Sequence, residues 1–130
     1  MQDCPEVHDC EIYSYEVNIE SQTLCLHTNS GFDEEKKIDI LFTNVLAHYF
    51  EDVFTQNVIS DIYEPGIKKY MEEYSNMTRK KKHYWPIPHE SENDLYNILI
   101  NNSYKVFYID SSLGLHGYVI AKEIQIKESM

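Results

Sequence analysis

Three groups of residues have the types and spacing to do chemistry. Cys4, His8 and Cys10 form a C-x3-H-x-C run, with Cys25 or His27 available as a fourth ligand. Zinc takes four such thiolate and imidazole ligands in a tetrahedron. Paired C-x2-C knuckles are absent and the run lies in a polar leader, so the expectation is an incidental tail, with no metal and no cofactor. His48 lies beside Glu51 and Asp52. His48 and Asp52 share a face of a strand, or stand at i and i+4 of a helix. Such a pair suits general acid–base work, and equally a partly buried histidine with a satisfied hydrogen bond. His116, between Gly114 and Gly117, is expected in a turn. No G-x-S-x-G, H-E-x-x-H, P-loop or G-x-G-x-x-G occurs. Without a nucleophile, a base and a group to orient it, the chain is not expected to be an enzyme. A small hydrolase using His48 with Asp52 or His116 would need a pocket that joins them.

Charge and aromatic content say more. The 130 residues carry 11 Lys+Arg against 22 Asp+Glu, a formal charge of −11. Residues 1–64 hold 2 basic and 14 acidic residues, whereas 65–85 hold 6 basic and 2 acidic. The first half therefore carries nearly all the negative field. Such a field keeps a protein in solution, and it also speeds encounter with a basic partner and repels nucleic acid. The run Arg79–Lys82 beside His83, Tyr84 and Trp85 mimics a base-stacking patch. One short run in an acidic chain reads instead as a solvated helix end, so no nucleic acid is expected. Eleven tyrosines and one tryptophan supply the large amphipathic contacts favoured at interfaces. Tyr84 and Trp85 are the best candidates for an exposed anchor. Alternatively, Trp85 packs the inter-helix segment onto the sheet.

Other classes are excluded by composition. No run approaches the ~18 apolar residues of a membrane helix, so no membrane is expected. The start, Met1 to Glu6, shows no signal peptide, and three cysteines without one fit a reducing cytoplasm. Cys25, in a strand-like run, is expected as a small buried hydrophobe.

The elements follow from periodicity. After a loose leader over 1–10, alternation predicts strands at Ile12–Ile19 and Thr23–Thr28, joined by Glu20-Ser21-Gln22, and at Ile38–Phe42. Val45–Val53 reads as a strand or a short helix, and Asn57–Tyr63 as a strand. Ile67, Tyr70, Met71, Tyr74 and Met77 form a helical stripe behind Pro65. Ser91 with Asp94 offers a capping-box-like start to a second helix through Leu95, Ile98 and Leu99. Tyr104–Asp110, a turn over Ser111–Gly117, and Tyr118–Ile126 close the chain as a hairpin. The expected fold is α+β: one domain over 1–130, a mainly antiparallel twisted sheet of about six strands, and two helices inserted before the C-terminal hairpin.

Two stretches carry a resemblance. One runs from Ile38 to Phe50 and on through Asn57–Ile62; the other comprises Tyr104–Ser112 and Gly117–Ala121. Together they resemble small, acidic, uncharacterised bacterial proteins of the toxin-immunity type. The resemblance implies a β-rich domain that binds a protein; it transfers no site residue. The expected function is thus a non-enzymatic, cytoplasmic, acidic protein-binding module that occludes a basic partner, such as a toxin domain. The candidate face comprises Glu16, Asp39, Tyr49, Glu51, Asp52, Asp61 and Tyr63, with Tyr84 and Trp85. The alternative is a self-associating homodimer that pairs edge strands or buries Tyr84 and Trp85.

Overall fold

The computed structural model describes residues 7–30, 36–77 and 84–129. Alternation builds the first three strands: β1 (Glu11–Asn18), β2 (Thr23–Asn29) and β3 (Lys37–Thr43). In β2 and β3 every second residue is buried: Leu24, Leu26 and Thr28, then Ile38, Ile40 and Phe42. A shift in the β1–β2 register beside Tyr13 turns that ring to the opposite side. β4 (Ala47–Glu51) and β5 (Val58–Tyr63) follow. Asp52, with φ +63°, ends β4.

Two helices come next. α1 (Ile67–Met77) buries Ile67, Tyr70 and Tyr74, the expected stripe. α2 (Glu92–Asn101) starts where its cap requires: Ser91 accepts from the Asp94 N–H at 3.0 Å, and the Asp94 carboxylate accepts from the Glu90 N–H at 2.9 Å. Those bonds satisfy amides that a helix N-terminus leaves unpaired. The chain ends in β6 (Lys105–Leu113), β7 (His116–Ala121) and β8 (Glu123–Ser129).

All eight strands form one antiparallel sheet in the order β4-β7-β6-β5-β1-β2-β3-β8. The α+β class and the two helices before the β6–β7 hairpin agree with the sequence reading; the strand number does not. Six were expected and eight are present. The closing run breaks at Lys122, whose N–H donates to the Thr43 carbonyl at 3.2 Å. There the chain leaves β6 and crosses to β3. The gain is burial: Ile124 and Ile126 pair with Phe42 and Ile40. The turn expected over 111–117 also shrinks, since β6 runs to Leu113 and His116 opens β7.

The sheet folds on itself at the β1–β5 join, where Glu11 faces Val58. One half is β1-β2-β3-β8 and the other is β4-β7-β6-β5. Their inner faces share one core: Leu24, Leu26, Ile40 and Phe42 meet Ile59, Ile109, Leu115 and Val119. Phe42 and Phe107 lie 5.6 Å apart across it. A second core forms on the outer side of the β4-β7-β6-β5 half. There Tyr70, Tyr74, Leu95 and Leu99 of the helices cover Val106, Tyr118 and Ile120. The outer side of the β1-β2-β3-β8 half has no helix over it among the described residues.

The leader is shorter than expected. Residues 7–10 are packed, with Val7 and Cys10 in the core. Asp9 N–H donates to the Ile59 carbonyl at 2.8 Å, and Ile59 N–H returns the bond to Cys10 at 2.9 Å. The backbone pairing that starts the β1–β5 join thus recruits residues that look polar in sequence. Residues 1–6, including Cys4, and the run Arg79–Lys82 with His83 lie outside the described residues. No described helix is long and apolar enough to cross a membrane.

Candidate functional site

The nine candidate residues do not share one face. They fall into three places, and two of these have further structure.

The first is the rim made by β4. It pairs with β7 on one side and with no described strand on the other. Its side chains alternate. His48 and Phe50 turn to the sandwich interior, where Tyr15 meets Phe50 edge-on at 5.6 Å. Tyr49 turns to the helix side and stacks on Tyr118 at 5.9 Å. Tyr49 donates to Glu51 at 3.3 Å, and the Glu51 carboxylate pushes its phenol pKa up. Glu51 and Asp52 are exposed, followed by exposed Val53 and Phe54.

The Trp85 indole N–H donates to the Tyr118 hydroxyl at 3.2 Å, and the Trp85 carbonyl accepts from Tyr74 at 2.7 Å. Trp85 therefore packs the inter-helix segment down, and only Tyr84 stands out, 61% exposed. Tyr118 links Tyr49 to Trp85, so Tyr49, Glu51, Asp52 and Trp85 form one neighbourhood. At the start of β4 a cavity of about 310 Å³ opens between the β1–β2 hairpin and Trp85. Val17, Ile19, Val45, Leu46 and His48 line it. Burial holds the His48 pKa below its ordinary value, which favours the neutral ring.

The hydrolase geometry is not assembled. His48 stands opposite Val119 and His116 opposite Glu51, three ladder positions apart, which is about 10 Å. Neither His116 nor Asp52 lines the cavity with His48.

The second place is the uncovered side of the β1-β2-β3-β8 half. Glu16 and Asp39, chosen as acidic face residues, converge on His27, which the sequence reading did not select as part of that face. His27 Nδ1 lies 2.8 Å from Asp39 Oδ1, and Nε2 lies 2.8 Å from Glu16 Oε1. The Asp39 hydrogen bond, aided by Glu16, raises the His27 pKa. Cys25 is not a core residue as expected. It is half-buried on this same side, with Sγ 3.9 Å from His27 Nδ1. Burial, with Asp39 and Glu16 nearby, pushes its thiol pKa up. One ligand atom from each of Cys25, His27 and Asp39 lies within 4.8 Å of the others.

The C-x3-H-x-C reading meets a different geometry. Cys10 is in the core and His8 bonds the Ser60 carbonyl at 2.7 Å on the surface. Cys10 sits inside the sandwich, whereas Cys25 and His27 face out. The sheet separates them.

The third place holds Asp61 and Tyr63 on β5, three strands from β4. Tyr63 meets Tyr108 at 5.6 Å, and burial raises its pKa. Asp61 stands opposite Asp110, a like-charge pair that neither rim nor histidine cluster includes.

The signal for the His27 cluster was in the sequence. Cys25 and His27 share the polar phase of β2, and Asp39 has the polar phase of β3. Only the register, which sets His27 opposite Asp39, brings them together. No family model, no curated protein and no solved structure matches the chain.

Proposed function

We propose that the protein is a non-enzymatic binding module that captures a basic protein partner along the β4 rim, in the manner of an immunity-type inhibitor. The observation that carries this reading is the open edge of β4. Natural edge strands are guarded by lysine, proline, bulges or a cover. β4 reads AHYFE, with neither lysine nor proline, and no described strand pairs with its free side. An extended segment of a partner adds to such an edge through main-chain hydrogen bonds. Tyr49 and Phe54 supply apolar contact area, and Glu51 and Asp52 supply charge complementary to lysine and arginine. The cavity at the head of β4 accepts one apolar side chain of the incoming strand. Occlusion follows when the bound surface is the partner's working face.

The test is paired capture from cell extract by the native chain and by Glu51→Lys/Asp52→Lys, in low and then moderate salt. The expected result is a basic protein held by the native chain, weakened by salt and lost from the charge-reversed variant. Equal retention by both, or no basic protein on either, overturns the reading.

The same open edge favours one second reading, a homodimer pairing β4 with β4 about a two-fold axis. Antiparallel pairing centred on Tyr49 sets Glu51 opposite Ala47, so the rim acids do not collide directly. Light scattering decides between the two. A particle of twice 15.4 kDa that reverts with Phe50→Pro supports the dimer.

A further inference from the structure

We propose that Cys25, His27 and Asp39 form a zinc site with an open fourth position, and that Glu16 orients its histidine. The site lies away from the β4 rim and does not depend on the binding reading.

The ladder builds it. His27 and Asp39 face each other across β2 and β3, Cys25 is two residues along β2 on the same face, and Glu16 faces Cys25 from β1. Directly opposed side chains on a sheet have Cβ atoms about 5 Å apart, so three neighbouring strands present these groups from a rigid surface. The Nδ1–Oδ1 distance is 2.8 Å and the Sγ–Nδ1 distance is 3.9 Å. Tetrahedral zinc with bonds of about 2.0–2.3 Å holds its ligand atoms about 3.3–3.5 Å apart. For those two pairs the difference is about half an ångström, and the Cys25 and Asp39 ligand atoms, which lie within 4.8 Å of each other, close by side-chain rotation.

The histidine is aimed for the task. Nδ1 faces both the thiol and the Asp39 carboxylate. Nε2 is already committed to Glu16 at 2.8 Å. A metal-bound histidine characteristically donates its other ring N–H to a carboxylate, which fixes the ring and raises its basicity. Glu16 is thus a positioning residue and not a ligand. The donor set of one thiolate, one imidazole and one carboxylate suits zinc and disfavours magnesium or calcium. A histidine clamped between two carboxylates would explain His27, Asp39 and Glu16, but would leave Cys25 without a part. Zinc binding uses all four. The thiol proton and any proton on Nδ1 pass to solvent as the metal enters. Three protein ligands leave the fourth position to water, and no described element covers this side of the sheet.

The test uses the full chain, reduced and stripped of metal, titrated with cobalt(II) alone and then with zinc(II). The expected result is a thiolate-to-cobalt charge-transfer band with tetrahedral visible absorption, both bleached by zinc and both absent from Cys25→Ser. Glu16→Gln should bind about 10–100-fold more weakly. On the native chain, zinc should protect Cys25 and not Cys10 from alkylation, read by peptide mass spectrometry. This measurement stands even where a variant folds poorly. A chain with no thiolate band, a band that persists in Cys25→Ser, or alkylation of Cys25 unchanged by zinc overturns the site. Unchanged affinity in Glu16→Gln overturns the role of Glu16.

Discussion

The two halves of the sheet use the same alternation of side chains and treat their outer faces in opposite ways. The β4-β7-β6-β5 half turns Val106, Tyr118 and Ile120 under two helices. Its polar atoms must then find partners inside. Tyr70 and Tyr118 bring their hydroxyls to 3.5 Å, Tyr118 takes the Trp85 N–H, and Tyr108 donates to Glu73 at 3.0 Å. No buried side-chain nitrogen or oxygen is left without a partner among the described residues. The β1-β2-β3-β8 half turns Cys25, His27, Asp39 and Lys37 to an uncovered face. Those groups are half-buried and pair with one another and with their neighbours at the surface, His27 with Asp39 and Glu16 and Lys37 with Asn29. A covered sheet face must pair the hydroxyls of its buried tyrosines, whereas an uncovered one leaves its titratable groups partly exposed.

The contrast breaks hardest at Gly117. A Cβ there would sit 1.8 Å from the Tyr49 carbonyl oxygen, so β4 can lie against β7 only with glycine at this position. Gly117→Ala should cost about 3 kcal/mol by denaturant midpoint. Hydrogen exchange should rise across β4 and β7 while β2 and β3 keep their protection.

Next in size is the pair Leu99→Ala and Leu41→Ala. Leu99 is fully buried on the sheet-facing side of α2, while Leu41 is half-buried on the uncovered side. The first should cost about 3 kcal/mol and the second about 1 kcal/mol or less. Equal losses would mean that something outside the described residues covers the second face.

The helix-covered half should also be sensitive to alkali. Burial raises the pKa of Tyr70 and Tyr108 strongly and that of Tyr63 as well. A phenol whose folded pKa is raised stays neutral when the unfolded chain would ionise. The folded state then binds more protons, and stability falls as pH climbs above about 10. Phenolate absorbance from Tyr70 and Tyr108 should therefore appear only as the chain unfolds, so that part of the alkaline absorbance change should coincide with loss of the fold.

The smallest effect lies in acid. Burial lowers the His48 pKa, so the unfolded chain binds a proton that the folded chain resists. Taken alone, this group lowers stability as pH drops through about 6.5, whereas His27, whose pKa is raised, works in the opposite direction. The stability of His48→Gln relative to the native chain should therefore rise as pH drops below about 6.5, read by denaturant midpoint across that range.

Much of this was legible in the sequence, for reasons that differ by element. The strict alternation of Leu24 and Leu26 with Cys25 and His27 reports a half-buried strand. The Ser91 and Asp94 pair reports a helix start, because capping is local chemistry. The break at Lys122 was not legible, since Tyr118–Ile126 is good strand throughout and only the inner-face need of Phe42 and Ile40 for partners pulls β8 away. The meeting of Cys25, His27 and Asp39 was hidden for a related reason. Register across the 30–36 connection is set by tertiary burial, and a slip of one residue would send Asp39 inward. Trp85 was legible only as two alternatives, and Tyr118, the partner that fixes it, is 33 residues away.

The crossing of β8 to β3 sets a timetable for synthesis. The β1-β2-β3 meander leaves the ribosome before the other strands, with Leu24, Leu26, Ile38, Ile40 and Phe42 on one bare side. Much of their opposing layer, Phe107, Ile109 and Val119, and the strand that seals the β3 edge are translated well after it. At 5–20 residues per second, the roughly 80 residues that follow β3 take roughly 4–16 s to appear. Through that interval the nascent meander keeps its apolar side bare, so this sheet cannot close until β8 has been made, and the wait favours aggregation.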